Sequence, residues 1–204
     1  MAFREALKFG IPPLVLAVIA AVAGWHLAAG ILVLATAFVF YFFRDPERRV
    51  PQEPGAVVSP ADGRVVEITE ETFNGRPGNR ISIFLSIFNV HVNRAPVAGR
   101  IESVEYRPGK FYAAMRARAS VENEQNVFRL ETARGPVVVK QIAGWVARRV
   151  LAWKRVGATL DRGERLGMIR FGSRVDLWLP AEARIVVSKG QTVQGGSSIV
   201  AQWS

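Results

Sequence analysis

Hydrophobic side chains follow two different rhythms along this chain. From Phe9 to Phe43 there is no charged residue, and Ile11 to Phe43 is apolar apart from His26 and Thr36. Beyond Gly55, apolar residues come in short β-branched runs broken by glycine turns. The first rhythm predicts helix in a membrane. About 20 apolar residues cross a hydrocarbon core of roughly 30 Å. One straight helix over the whole run would measure about 50 Å, too long without strong tilt. Gly24-Trp25-His26 sits near the middle and offers a place to turn. Arg4 and Lys8 precede the run, and Arg44, Arg48 and Arg49 follow it. The positive-inside rule then favours a hairpin with both ends in the cytoplasm. Its legs would be short, so a re-entrant insertion stands beside two full spans. A secretory signal peptide cleaved after Ala21-Val22-Ala23 fits less well, because the apolar sequence continues for 20 residues beyond that point.

The second rhythm predicts strands. Residues 44–55 are charged and proline-rich, a linker by composition. After them, strands are expected at Arg64–Ile68, Arg80–Phe88, Arg100–Tyr106, Val127–Glu131, Val137–Ile142, Arg165–Phe171, Val175–Leu179 and Ala183–Val187. Runs of this length and spacing argue an all-β sandwich or barrel. A short helix is expected at Trp145–Lys154. Residues 156–169 and 188–199 share a pattern of glycine, hydrophobic residue and glycine. With Ser59-Pro-Ala-Asp-Gly63, these resemble the turns of barrel-sandwich hybrid domains. The expected architecture is thus mainly β: a membrane-anchoring helical segment over 1–43, a linker over 44–55 and a β domain over 56–204.

Composition narrows the chemistry. Among 204 residues there is no cysteine, which removes disulfides and thiolate chemistry. The formal charge is +10, and 25 basic against 16 acidic residues remain after the first 43 are set aside. The basic excess therefore belongs to the β domain and suits nucleic acid or anionic lipid. Two histidines cannot make a histidine-rich metal site. His26 lies within the apolar run. His91, in Phe88-Asn-Val-His-Val-Asn-Arg-Ala-Pro96, is the one side chain outside it with an ordinary pKa near neutrality. Asp62 lies in a turn where its carboxylate commonly bonds its own backbone. Ser173 follows Gly172 between two strand-like runs. Glycine there marks either a β-bulge or a peptide open to attack by the following hydroxyl. Gly196-Ser197 is the competing pair, but cutting there would release only eight residues.

Six segments in order carry a resemblance: Phe-Phe-Arg-Asp-Pro at 42–46, Ser-Pro-Ala-Asp-Gly at 59–63, Asn-Val-His-Val-Asn-Arg at 89–94, Asn-Glu at 123–124, Gly-Glu-Arg-Leu-Gly-Met-Ile at 163–169 and Phe-Gly-Ser at 171–173. Together they resemble the short bacterial and archaeal form of phosphatidylserine decarboxylase. The resemblance implies a proenzyme cut between Gly172 and Ser173 into a β chain, 1–172, and an α chain, 173–204, held as a heterodimer. Ser173 would become a covalent pyruvoyl group, with Asp62 and His91 as acid/base partners. It also implies decarboxylation of phosphatidylserine to phosphatidylethanolamine through a Schiff base, on the cytoplasmic face of the inner membrane. Longer relatives carry two histidines spaced three apart. Here the second position is Arg94, so His91 serves both steps alone, or Arg94 binds the substrate carboxylate or phosphate. The residue after the serine is Arg174, where the longer form often has threonine. Gly109-Lys110-Phe111 is read as a loop near the lipid.

Two rivals remain. A membrane-anchored carrier or adaptor module would explain the apolar segment and the glycine turns. However, the flanks of Lys189, the nearest candidate for a modified lysine, do not match a carrier motif. A basic RNA-binding barrel would need aromatics interleaved with Lys and Arg on neighbouring strands, and Phe111 and Tyr112 beside Lys110 are isolated. No nucleic-acid partner is expected.

Overall fold

The computed structural model describes residues 1–112, 119–144, 149–170 and 173–203. They form two compact units, Met1–Pro46 and Glu47–Ser204. The first is a pair of helices, α1 (Ala2–Val22) and α2 (His26–Phe42). The chain reverses between them where Gly24 takes φ +79°, a left-handed value open to a residue without Cβ. Gly10 lets the helices close, since a Cβ there would come within 2.9 Å of the Phe40 ring. Thr36 satisfies its hydroxyl within α2 by donating to Leu32 O at 2.8 Å. By length and composition α1 is apolar enough to cross a membrane, and α2 is apolar but shorter.

The second unit is mainly β, as the strand spacing predicts. Eight strands form one antiparallel sheet that curls into a half-barrel, in the order β13-β2-β3-β11-β7-β6-β5-β9. These are β13 (Thr192–Val193), β2 (Gly63–Glu70), β3 (Gly78–Leu85), β11 (Ser173–Pro180), β7 (Gly135–Ala143), β6 (Gln125–Thr132), β5 (Gly99–Arg107) and β9 (Thr159–Leu160). Two three-stranded sheets complete the unit. One joins β1 (Ala56–Val58), β14 (Ile199–Trp203) and β12 (Ala183–Ile185). The other joins β4 (Val92–Arg94), β10 (Arg165–Ile169) and β8 (Val150–Ala152).

Period-two alternation sets the core. On β11, Val175, Leu177 and Leu179 pack with Ile81, Ile83 and Leu85 of β3 and with Val137 and Val139 of β7. The intervening Arg174, Asp176 and Trp178 face the other side. There Trp178 packs on Val127, Val138 and Phe73 and donates Nε1–H to Glu71 O at 2.7 Å.

β3 stops at Leu85 rather than Phe88, where a turn begins, β12 stops at Ile185 rather than Val187, and Phe171 lies outside the described residues. All eight expected strands are nevertheless present. The expected helix at Trp145–Lys154 is not: residues 150–152 form β8, paired with β10, and 145–148 lie outside the described residues. Val150, Leu151 and Ala152 suit either state locally, and pairing with β10 decides it. The glycine echo has a structural counterpart. Gly157 and Gly163 flank β9, Gly190 and Gly196 flank β13, and all four have left-handed φ between +77° and +92°. Both short strands lie at the two edges of the eight-stranded sheet. Residues 44–55 contain no helix or strand. From Glu47 onward they belong to the second unit, where Arg162 donates to the carbonyls of Pro51, Glu53 and Ala56.

Gly63 meets the tightest limit. Its φ is +149°, and a Cβ would lie 2.1 Å from Phe84 O. Gly63→Ala is expected to destabilise the protein by about 2–3 kcal/mol, lowering Tm by roughly 5–10 °C in thermal unfolding of the detergent-solubilised chain. Gly75→Ala, at a left-handed position with open space around it, should cost less.

Candidate active site at one end of the sheet

Within the second unit, the register brings the motif segments to a single end of the eight-stranded sheet. Ser173 opens β11 and lies opposite Leu85, the last residue of β3, and Ala143, the last of β7. Arg64 is opposite Phe84, so Gly63 and the preceding Asp62 are level with Leu85. Gln125, which follows Asn123 and Glu124, starts β6 opposite Ile142. Arg107, opposite Gln125, ends β5 and leads into Lys110 and Phe111. His91 follows the turn that leaves β3. Its carbonyl accepts from Ile169 N–H at 3.2 Å, tying it to the end of β10. Ile169 and Ser173 thus meet the two ends of one segment, His91 and Leu85.

His91 is fully buried. Its Nδ1 lies 2.9 Å from Asn89 O, which can only accept, so the proton sits on Nδ1. In the neutral ring this leaves Nε2 as the nitrogen that can take up or deliver a proton. Ser173 is also fully buried and lies on the inner face, in line with Val175 and Leu177. Among the described residues its Oγ has no hydrogen-bond partner. A buried hydroxyl without a partner is costly in a purely structural site. Beside it, Gln141 donates to Asn93 Oδ1 at 2.8 Å and accepts from Asn126 at 3.2 Å. This chain of amides crosses the inner face from β6 to β4, two residues from His91.

Asp62 is held differently. Arg48 Nη2 reaches both its oxygens, at 2.9 and 2.8 Å, and Gly195 N–H donates to Oδ1 at 2.8 Å. Asp62 and Ser173 are separated by β3, two strand spacings or about 10 Å along the sheet. The described contacts therefore join Asp62 to Arg48 and the Gly195 turn. Arg94 is buried, donates Nη1–H to Gly163 O at 3.0 Å and packs against Gly196. It thereby connects the two echo loops. Lys110 is exposed and paired with Glu122 at 3.1 Å, whereas Phe111 is half-buried against the core. Both lie beyond β7 and β6 from Ser173, and Asn123 fixes the adjoining Tyr112 through two hydrogen bonds. Gly172 lies outside the described residues.

Arg174, in sequence only a departure from the longer form, is buried. Its side chain is 3% exposed. It donates to Asp176 Oδ1 at 2.6 Å, Ser82 Oγ at 2.6 Å and Glu67 Oε2 at 3.0 Å. Arg80 joins the same acids and Ser82, and also pairs with Glu71, which Lys140 approaches at 3.5 Å. Three cations therefore meet three carboxylates. Burial alone would raise the Glu67 pKa, but hydrogen bonding and charge from Arg80, then from Arg174, hold it below its ordinary value. Burial likewise works against the Arg80 charge, and Asp176 with Glu67 and Glu71 keeps its pKa above the usual one. No periodicity reveals this cluster, because each member alone reads as a solvated charge.

Known proteins are similar to this chain over most of its length. The family model described as phosphatidylserine decarboxylase matches residues 35–201. A phosphatidylserine decarboxylase proenzyme of Symbiobacterium thermophilum is 47% identical over 201 residues, covering 97% of this chain and 93% of its own length. One of Desulfotalea psychrophila is 44% identical, covering 92% and 89%. One of Cupriavidus pinatubonensis is 48% identical, covering 87% and 86%.

Arg174→Met should destabilise by about 3–5 kcal/mol in denaturant unfolding, because it strips the fully buried Asp176 of its closest partner. Adding Asp176→Asn should recover part of that loss. The lowered Glu67 pKa contributes stability that is present above the unfolded value, about 4.5, and is lost as pH falls through the folded value. Glu67→Gln is therefore expected to flatten the acid side of a Tm–pH profile while changing its slope little above pH 6.

Proposed function

The chain belongs to the phosphatidylserine decarboxylase family, and on that footing we propose that it is made as a proenzyme, cuts itself before Ser173 and decarboxylates phosphatidylserine to phosphatidylethanolamine. The observation that carries this reading is the state of Ser173: a fully buried hydroxyl, without a hydrogen-bond partner among the described residues, at the start of a central strand.

The proposed processing balances without an external reagent other than water. Ser173 Oγ adds to the Gly172 carbonyl, and the peptide C–N bond breaks to give an ester and a new amino group on residue 173. Loss of the Cα proton expels the Gly172 carboxylate by β-elimination. Water then replaces nitrogen at the resulting dehydroalanine, releasing ammonia and leaving a pyruvoyl group. His91 Nε2 is the proposed proton acceptor for the hydroxyl, since Asn89 O fixes the ring tautomer. Asp62, engaged by Arg48 and Gly195, is proposed to act on the local charge and on the position of the turn.

The site suits such a group. The residue that would hold it sits on an inner face with an unmatched polar atom, between two paired neighbours. A ketone there would supply the electron sink that decarboxylation of an α-amino acid needs and that ordinary side chains lack. Around it, the apolar inner face excludes water, and the Asn126–Gln141–Asn93 chain orients the strand beside His91. His91 is the proposed donor of the proton that replaces the carboxylate. The helical hairpin is proposed to anchor the chain in the inner membrane with the β domain on the cytoplasmic face, and the basic excess of that domain suits an anionic lipid.

Denaturing electrophoresis with intact mass is expected to resolve two chains, the smaller spanning 173–204 and blocked to N-terminal sequencing. A single full-length polypeptide that is fully folded would instead favour a carrier or adaptor module. Ser173→Ala should remain one chain, and cleavage of that variant would move the site elsewhere. His91→Ala should slow processing by about 10²–10⁴-fold, and normal processing would remove His91 from that role.

A further inference from the structure

The turn that joins β3 to His91 has an unusual surface. Ser86, Ile87, Phe88 and Asn89 form a four-residue reversal closed three times: Asn89 N–H donates to Ser86 O at 3.0 Å, and Asn89 Oδ1 accepts from Ser86 N–H at 2.9 Å and from Ser86 Oγ at 2.8 Å. Central positions of such turns commonly hold Gly, Pro, Asn or Asp. Here they hold Ile87 and Phe88, 39% and 62% exposed. A rigid turn that displays two large apolar side chains gains nothing from water on that face.

Directly beside the turn lies a groove of about 800 Å³ that includes Ser86, Asn89, Phe84 and Thr192, with Arg64 and Lys189 contributing two cations. No acidic side chain is among the described residues lining it. Arg64 Nε–H donates to Gly190 O at 3.0 Å, which fixes the guanidinium at the groove. The two cations thus stand next to an apolar projection, with their charge uncancelled inside the groove. A protein partner could match one half of this surface. An anionic lipid surface matches both, because headgroup phosphates meet the cations while the acyl boundary takes the apolar tip.

We propose that the Ile87–Phe88 turn and the Arg64–Lys189 groove form a second membrane contact, in which the turn inserts at the acyl boundary of an anionic bilayer. The choice of lipid as partner rests on the proposed function. It deepens that reading, since the turn leads through Asn89 into His91 and follows Leu85, the partner of Ser173. A bilayer met at this point puts the proposed reaction centre at the lipid boundary.

The chain has no cysteine, so single nitroxide labels can be placed without background. The full chain would be reconstituted as Phe88→Cys, Ile87→Cys or Val156→Cys, labelled, into vesicles of phosphatidylglycerol and phosphatidylcholine. Val156, 61% exposed in another loop, serves as the aqueous reference. Power-saturation spectra should show high oxygen and low nickel-complex accessibility at 87 and 88, and the reverse at 156. Removing phosphatidylglycerol, or adding Arg64→Gln with Lys189→Gln, should shift the label at 88 toward water. At roughly fivefold per cation, the double change should weaken docking roughly 10- to 30-fold. Equal aqueous exposure at 88 and 156 at every composition would overturn the proposal. So would immersion insensitive to both phosphatidylglycerol and the two cations. The labels report depth whether or not the chain decarboxylates, so failure of the catalytic reading would appear separately, as absent cleavage.

Discussion

A guanidinium almost shut off from water stands one residue after the proposed nucleophile, and the geometry of the site follows from its position. Arg174 can stay buried in the sheet only while Asp176, Glu67 and Ser82 surround it. Those partners come from three neighbouring strands, β11, β2 and β3. A one-residue slip of β11 would turn Arg174 and Asp176 into the apolar half-barrel and Ser173 out of it. The ion cluster therefore acts as a register lock. It contributes less through net stability than through excluding the alternative pairing, since well-packed apolar residues often match a buried ion cluster in energy.

With β11 fixed, the remaining motifs have defined places. Antiparallel pairing carries the ends of β3 and β7, the starts of β2, β6 and β11, and the end of β5 to the same rim. Segments far apart in sequence converge because each adjoins a strand terminus there. Within this convergence the candidates separate into two groups. His91 adjoins the end of β10 and Ser173 opens β11, with the amide chain through Gln141 beside them. Asp62 and Arg94 instead centre on the Gly163 and Gly195–Gly196 turns. Arg94 touches both turns that bracket the edge strands β9 and β13, so its charge serves the closure of the sheet as well as any chemistry.

Much of this was legible in the sequence. Most of the expected strands were readable because alternation of β-branched residues survives in long, central strands such as β3 and β11. The short strands β1, β4, β9 and β13 carry too few residues to display a period, and β8 carries none that distinguishes strand from helix. Ser173, His91 and Asp62 could be singled out by scarcity and by motif. Their environments could not. The pairing of Asp62 with Arg48 crosses a proline-rich stretch that composition marks as linker, and Gln141 reads as one more polar residue in a strand. Arg174 offered only a departure from the longer form of the family, because burial of a charge is decided by neighbours brought in from elsewhere in the chain.

The central placement of β11 has a consequence for the lifetime of the molecule. Both of its edges are hydrogen-bonded, to β3 and to β7, and β14 beyond it pairs with both β12 and β1. A chain opened ahead of Ser173 would keep all these ladders, so the nick would be structurally silent. Reassembly after unfolding would nevertheless become a meeting of two separate polypeptides. One of them would be about 30 residues long and would have no partner strands of its own for β11. Such a protein is built once, from an intact precursor, and its durability is governed by how slowly it comes apart.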